Sequence, residues 1–172
     1  DEQSRFNLAR LFQDDGTLRP EGLAQIERLF VLLGVPTDQS SELIGRLQSL
    51  GKPDIEVEGM VEESGRSRWA QLQQLVRADR SLMEDQRRLL LDHLTWLPKV
   101  SRININTVAP EVLRALAGDG ESRLVDDLIE RRDRIPFRTP AEVAALVPPN
   151  AGFETALLDT QTSYFRMQGY AQ

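Results

Sequence analysis

The chain has no cysteine, which excludes disulfides, thiol nucleophiles and thiolate-bound metals together. Missing thiols do not name a compartment, though they suit an oxidising one, where a free thiol is a liability. There is one histidine, His93, and aromatic residues make up only 6%. No stretch approaches the ~18 consecutive apolar residues of a membrane span; the best run is Leu29-Phe30-Val31-Leu32-Leu33. Basic charge is in deficit. The 21 Lys and Arg against 27 Asp and Glu leave −6 and a pI near 4.9, which argues against nonspecific attraction to DNA or anionic lipid. What remains, 40% hydrophobic and 28% charged over 172 residues, is the composition of a globular protein with one domain or two small helical lobes. The opening Asp-Glu-Gln-Ser has no signal-peptide character and no Met, so we expect a trimmed piece of something longer.

The most informative stretch runs from Ile103 to Leu146. Ile103-Asn104-Ile105-Asn106 alternates apolar and amide residues and predicts a brief extended segment ahead of Thr107. Pro110 suits the first turn of a helix, and Glu111 favours the positive end of its dipole. Val112, Leu113 and Leu116 supply the buried stripe, and Gly118-Asp119-Gly120 ends the helix. Leu124, Val125, Leu128 and Ile129 lie on one face of a second helix, and Thr139-Pro140-Ala141-Glu142 starts a third. The pattern is a helix-hairpin-helix (SAM-like) unit with a trailing helix.

Elsewhere the chain divides as follows. Residues 1–11 read as an incoming strand or arm anchored by Phe6, Leu8 and Leu11. Residues 12–51 read as a first helical hairpin. Its first helix starts at Pro20, carries Leu23, Ile26, Phe30 and Leu33, and stops at Gly34. Its second is capped by Thr37, carries Leu43, Ile44, Leu47 and Leu50, and stops at Gly51. Residues 52–68 lose all apolar period and read as a mobile linker. Residues 69–159 form a second helical lobe, with a short helix at Trp69–Val76, another capped by Ser81, and the unit just described. Residues 160–172 alternate Thr and aromatic residues in the manner of an outgoing strand. The predicted class is mainly α, two helical lobes set between terminal strands of a sheet.

Five phrases in this order resemble one family. They are Glu2-Gln3-Ser4-Arg5-Phe6-Asn7-Leu8, Leu32-Leu33-Gly34-Val35-Pro36, Leu94-Thr95-Trp96-Leu97-Pro98, Ile103-Asn104-Ile105-Asn106-Thr107 and Ser163-Tyr164-Phe165-Arg166. Together they are similar to the K-type minor pseudopilin of the type II secretion system. The resemblance implies a helical domain inserted into a pilin-like α/β domain, held at the periplasmic face of the inner membrane by an N-terminal helix that this chain lacks. It implies the I- and J-type minor pseudopilins as partners at the tip of the pseudopilus, with contacts to exported substrate or to the secretin, and no nucleic acid. Some members bind calcium through an acidic segment after the second helix. Here that place reads Arg46-Leu47-Gln48-Ser49-Leu50-Gly51-Lys52, so no ligand is assigned and no cofactor is expected. Asp54, Glu56 and Glu58 follow in alternation, a poor calcium loop.

Asn104, Asn106, Thr107, Pro110, Gly118 and Gly120 are the motif residues, and their amide and turn chemistry points to structural work at a helix entry. The rival reading is a helix-hairpin-helix DNA-binding protein whose glycine turn meets a phosphate. The Gly118-Asp119-Gly120-Glu121 turn places two carboxylates where that phosphate would approach. A hydrolase built on His93 has no support beyond the residue type.

Overall fold

The computed structural model describes residues 1–51, 61–149, 151 and 154–165. Among these the chain is mainly helical, with two short pairs of parallel strands. The helices are α1 (Pro20–Leu32), α2 (Thr37–Leu50), α3 (Val61–Ala78), α4 (Glu84–His93), α5 (Pro110–Ala117), α6 (Ser122–Arg134) and α7 (Pro140–Ala144). The strands are β1 (Phe6–Asn7), β2 (Leu94–Thr95), β3 (Ile103–Asn104) and β4 (Leu158–Asp159).

Parallel strands cannot be joined by a tight turn, so each pair closes a long crossover. β1 pairs with β2, Phe6 opposite Leu94, and α1 to α4 lie between them. β3 pairs with β4, Ile103 opposite Leu158, and α5 to α7 lie between those. The protein is therefore two helical excursions, each returning to the point it left. Their buried side chains form one continuous cluster from Phe6 to Leu158. α1 packs on α5, so the helices of the two excursions share that cluster.

Local chemistry accounts for the helix edges. α1 and α5 both begin on proline, whose fixed φ and missing N–H suit that position. Gly34 ends the first hairpin helix at φ +71°, and Gly118 ends α5 at φ +84°. Gly51 also follows a helix, but at φ −80°, so it does not need glycine for its backbone. A Cβ there would stand 2.2 Å from the ring of Phe12, which stacks on Trp96 with centroids 5.7 Å apart. Space, not handedness, selects this glycine.

Five expectations change. Thr37 does not cap α2; it is the first helical residue, Pro36 holds the cap position, and no side-chain hydrogen bond caps the helix start there. Residues 61–68, predicted as linker, open α3, because the run contains no helix breaker beyond one glycine and leads into the stripe of Leu72 and Val76. Residues 52–60, with Asp54, Glu56 and Glu58, lie outside the described residues. Ser81 does not cap α4; it turns back onto Asp79, and α4 starts at Glu84 with the Gln86 side chain accepting from the Met83 N–H at 2.9 Å. Residues 1–11 are two 3-10 turns around the two residues of β1. Asp1 and Asn7 side chains accept from the N–H groups of Gln3 and Ala9, and such local bonds displace an extended ladder. Residues 160–165 form no strand, since Thr160 and Thr162 turn their hydroxyls onto Arg138 and Asp1; residues 166–172 lie outside the description.

Asp79 ties α2 to the α3–α4 corner. Burial pushes its carboxyl up, but the Ser81 hydroxyl and N–H, with Arg46 and Arg87, outweigh this and hold it below its ordinary value. The stabilisation is thus present above about pH 3.9, the unfolded value, and is lost as pH falls through the lower folded one. Asp79→Asn should be less stable at neutral pH and show a flatter acid limb in thermal melts at stepped pH.

Two glycines give a paired test of packing. A Cβ on Gly22 would lie 2.6 Å from the backbone oxygen of Arg10, whereas one on Gly45 meets nothing within 4 Å. In urea titrations Gly22→Ala should destabilise by about 1–3 kcal/mol and Gly45→Ala should stabilise by about 0.5–1 kcal/mol.

Candidate functional site

The candidate site is the base where the two crossovers meet. Two-residue strands supply too few ladder bonds to fix a register, and asparagine amides complete them. Asn104, 6% exposed, donates from Nδ2 to Thr162 Oγ1 at 2.8 Å and to Asp1 Oδ2 at 3.3 Å, while its Oδ1 accepts the Asn106 N–H at 3.0 Å. Asn106 imitates a strand partner. Its Oδ1 accepts the Phe137 N–H at 2.8 Å and its Nδ2 donates to the Phe137 carbonyl at 2.9 Å. Thr107 donates to the same Asp1 carboxylate. In the other crossover Asn7 donates to the Lys99 carbonyl at 2.7 Å and accepts the Leu97 N–H at 3.1 Å.

Cross-links then join the two bases. Glu2 N–H donates to the Tyr164 carbonyl at 3.0 Å, Ala109 N–H to Ser4 at 3.2 Å, and Gln3 Nε2 to Arg102 at 2.6 Å. The N-terminal segment, the 94–109 segment and the segment ending at residue 165 therefore run together. Arg132 reaches up from α6 and donates to the carbonyls of Ile105 and Val108 at 2.8 and 2.7 Å.

Of the six motif residues, the structure gathers Asn104, Asn106 and Thr107 at this base, with Pro110 opening α5 just beyond. Gly118 and Gly120 lie at the far end of α5, eight helical residues or about 12 Å away. Both have positive φ, +84° and +95°. Near them Arg28 donates to the Ala115 carbonyl at 3.0 Å and Arg114 pairs with Asp126 at 2.8 Å. Sequence reasoning missed Asp1, Gln3, Asn7, Thr162 and Arg132. Gln3 and Asn7 carried a signal, inside the Glu2–Leu8 phrase; the others depend on contacts between distant segments.

The site gathers amides, hydroxyls, backbone groups, the Asp1 carboxylate and the Arg132 guanidinium, joined to one another in an arrangement that holds segments together. His93 lies apart on α4, its Nδ1 2.8 Å from the Leu89 carbonyl and its Nε2 3.4 Å from Glu111. Nδ1 is bonded to a backbone carbonyl and Nε2 faces a carboxylate. The basic run at α6 is likewise occupied, with Arg131 over the Phe137 ring, Arg132 on the β3 turn and Arg134 paired with Glu130. Among the described residues no group of three or more His, Asp or Glu could hold a metal ion, and no helix is long and apolar enough to cross a membrane.

Residues 103–161 match the family model of type II secretion system (T2SS), protein K. The protein K match is the same family that the five sequence phrases resemble, and it spans β3, the Asn104–Thr107 turn, the glycine turn and β4. No curated protein matches the chain. The match supports a minor-pseudopilin role in type II secretion, and this pseudopilin family is structural rather than catalytic. It lends no support to duplex binding.

Asn106→Ala leaves the Phe137 N–H and carbonyl without their partners and should lower stability by about 2–3 kcal/mol in urea titration. Asp127→Ala, on the exposed face of α6, should change it by less than about 0.5 kcal/mol.

Proposed function

We propose that the chain is a scaffold at the tip of the periplasmic pseudopilus, assembled with the I- and J-type minor pseudopilins and helping to start the filament during export. The observation that carries this reading is the protein K match laid over a body whose first and last described segments run side by side. Such a body can be inserted into a pilin-like domain at one edge without disturbing it. Two helical excursions then widen the subunit, and a further subunit has no room to stack above. The α5–α6 pair with its glycine turn serves as a packing module within this bulk. On this reading the protein sits at the periplasmic face of the inner membrane, anchored by an N-terminal helix, and exported substrate or the secretin meets the tip.

The test is reconstitution with the soluble domains of the I- and J-type subunits. Co-elution of the three as one complex, with this chain uppermost when imaged on a filament, is the expected result. A filament in which this subunit lies mid-stack with others above it would overturn the tip assignment.

A further inference from the structure

Arg10 is the least satisfied charge among the described residues. It is 8% exposed, yet its Nε and Nη1 meet no partner. A guanidinium stays charged and carries five donors, so burying it unpaired is costly unless something answers it. It lines a cavity of about 260 Å³ between the turn that follows β1, the start of α1, and the 154–157 segment. Arg19 adds a second cation, and its Nε is already directed at the Phe12 carbonyl. Glu21 and Glu154 also line the cavity; the charge of Glu154 favours the guanidinium, but neither carboxylate reaches Nε or Nη1. The remaining wall is partly apolar, from Leu157 and Val100, the latter 51% exposed.

The larger groove between α3 and α4, about 410 Å³, is different. There Arg5 donates to the Leu91 carbonyl, Arg87 to the Asp79 carbonyl and Glu84, and Arg88 pairs with Asp92. Arg5, Arg87 and Arg88 are answered from within and Arg77 is exposed to solvent, whereas the buried Nε and Nη1 of Arg10 are answered by neither.

We propose that the Arg10 cavity is a socket for a carboxylate presented by a partner protein, with the guanidinium holding the carboxylate and Val100 and Leu157 holding the methylenes behind it. A glutamate side chain has both parts. The small volume, the two apolar side chains and the two carboxylates already present favour a singly charged, protein-borne group of this kind over a bulkier, multiply charged anion. Glu154 acts as the internal competitor that a partner displaces.

The test follows the Arg10 Nε–H resonance in the 15N-labelled chain. N-acetylglutamate α-amide and butyrate should shift it saturably, while N-acetylglutamine amide and sodium chloride at equal ionic strength should not. Glu154→Gln should tighten binding roughly two- to five-fold, the worth of one exposed charge. Arg10→Met should abolish ligand-induced shifts elsewhere in the amide spectrum; if that variant does not fold, Arg10→Lys should weaken them instead. Absence of a saturable shift, an equal response to chloride, or binding that emerges only in Glu154→Gln overturns the socket. Binding of butyrate without the glutamate derivative overturns the protein-borne source.

Discussion

Two ladders of two residues each hold the base of this molecule, and neither would persist alone, since short isolated strand pairs are marginal in water. The constraint everything else depends on is that asparagine amides finish what the ladders begin. An amide carries a donor and an acceptor in a plane, the same pair that a peptide unit offers. Asn106 meets both backbone groups of Phe137, and Asn7 meets Lys99 and Leu97, so each side chain acts as an extra strand residue. Asn7 and Asn104 are buried, which makes their bonds hard to exchange for water.

That clamp explains how helices so far apart in sequence share one core. Closing a crossover of many residues costs conformational entropy once, and the cost grows only slowly with length. Once the β1–β2 and β3–β4 bases are joined through Glu2, Gln3 and Ser4, α1 and α5 are delivered to the same place. Their apolar faces then meet, and burial of Ile26, Leu29, Phe30, Val112 and Leu116 stabilises the arrangement. The polar base sets the arrangement; the apolar interface makes it stable.

Much of this could be read from residues alone where the information is local. Prolines at the starts of α1 and α5, glycines at the ends of both, and 3–4 spacing along the helices are chemistry within a few residues. The turn role of Asn104 and Asn106 follows from the same logic. What could not be read was non-local. A charged run with no apolar period looks like a linker until α3 extends back through it. Strands of two residues are too short to alternate, and the Thr-rich segment at 160–165 looks extended only while the partners of its hydroxyls are unknown. Gly51 shows the same limit, because the ring that excludes a side chain there comes from Phe12, far upstream.

The charge distribution carries the argument toward function. The chain is acidic overall, yet many of its arginines are turned inward: Arg28 onto the end of α5, Arg132 onto the β3 turn, Arg87 onto the Asp79 corner. A nucleic-acid reader needs its cations outward and free for phosphate. Inward arginines instead fix carbonyls that helix ends and turns leave open, which is the work of a rigid body. A component of a filament benefits from such rigidity, because force and position are passed between subunits only through parts that do not yield. Arg10 departs from this rule: two of its guanidinium nitrogens are buried without a bond, where Arg68 and Arg132 each leave one, and such a departure is where contact with a partner has a physical reason to occur.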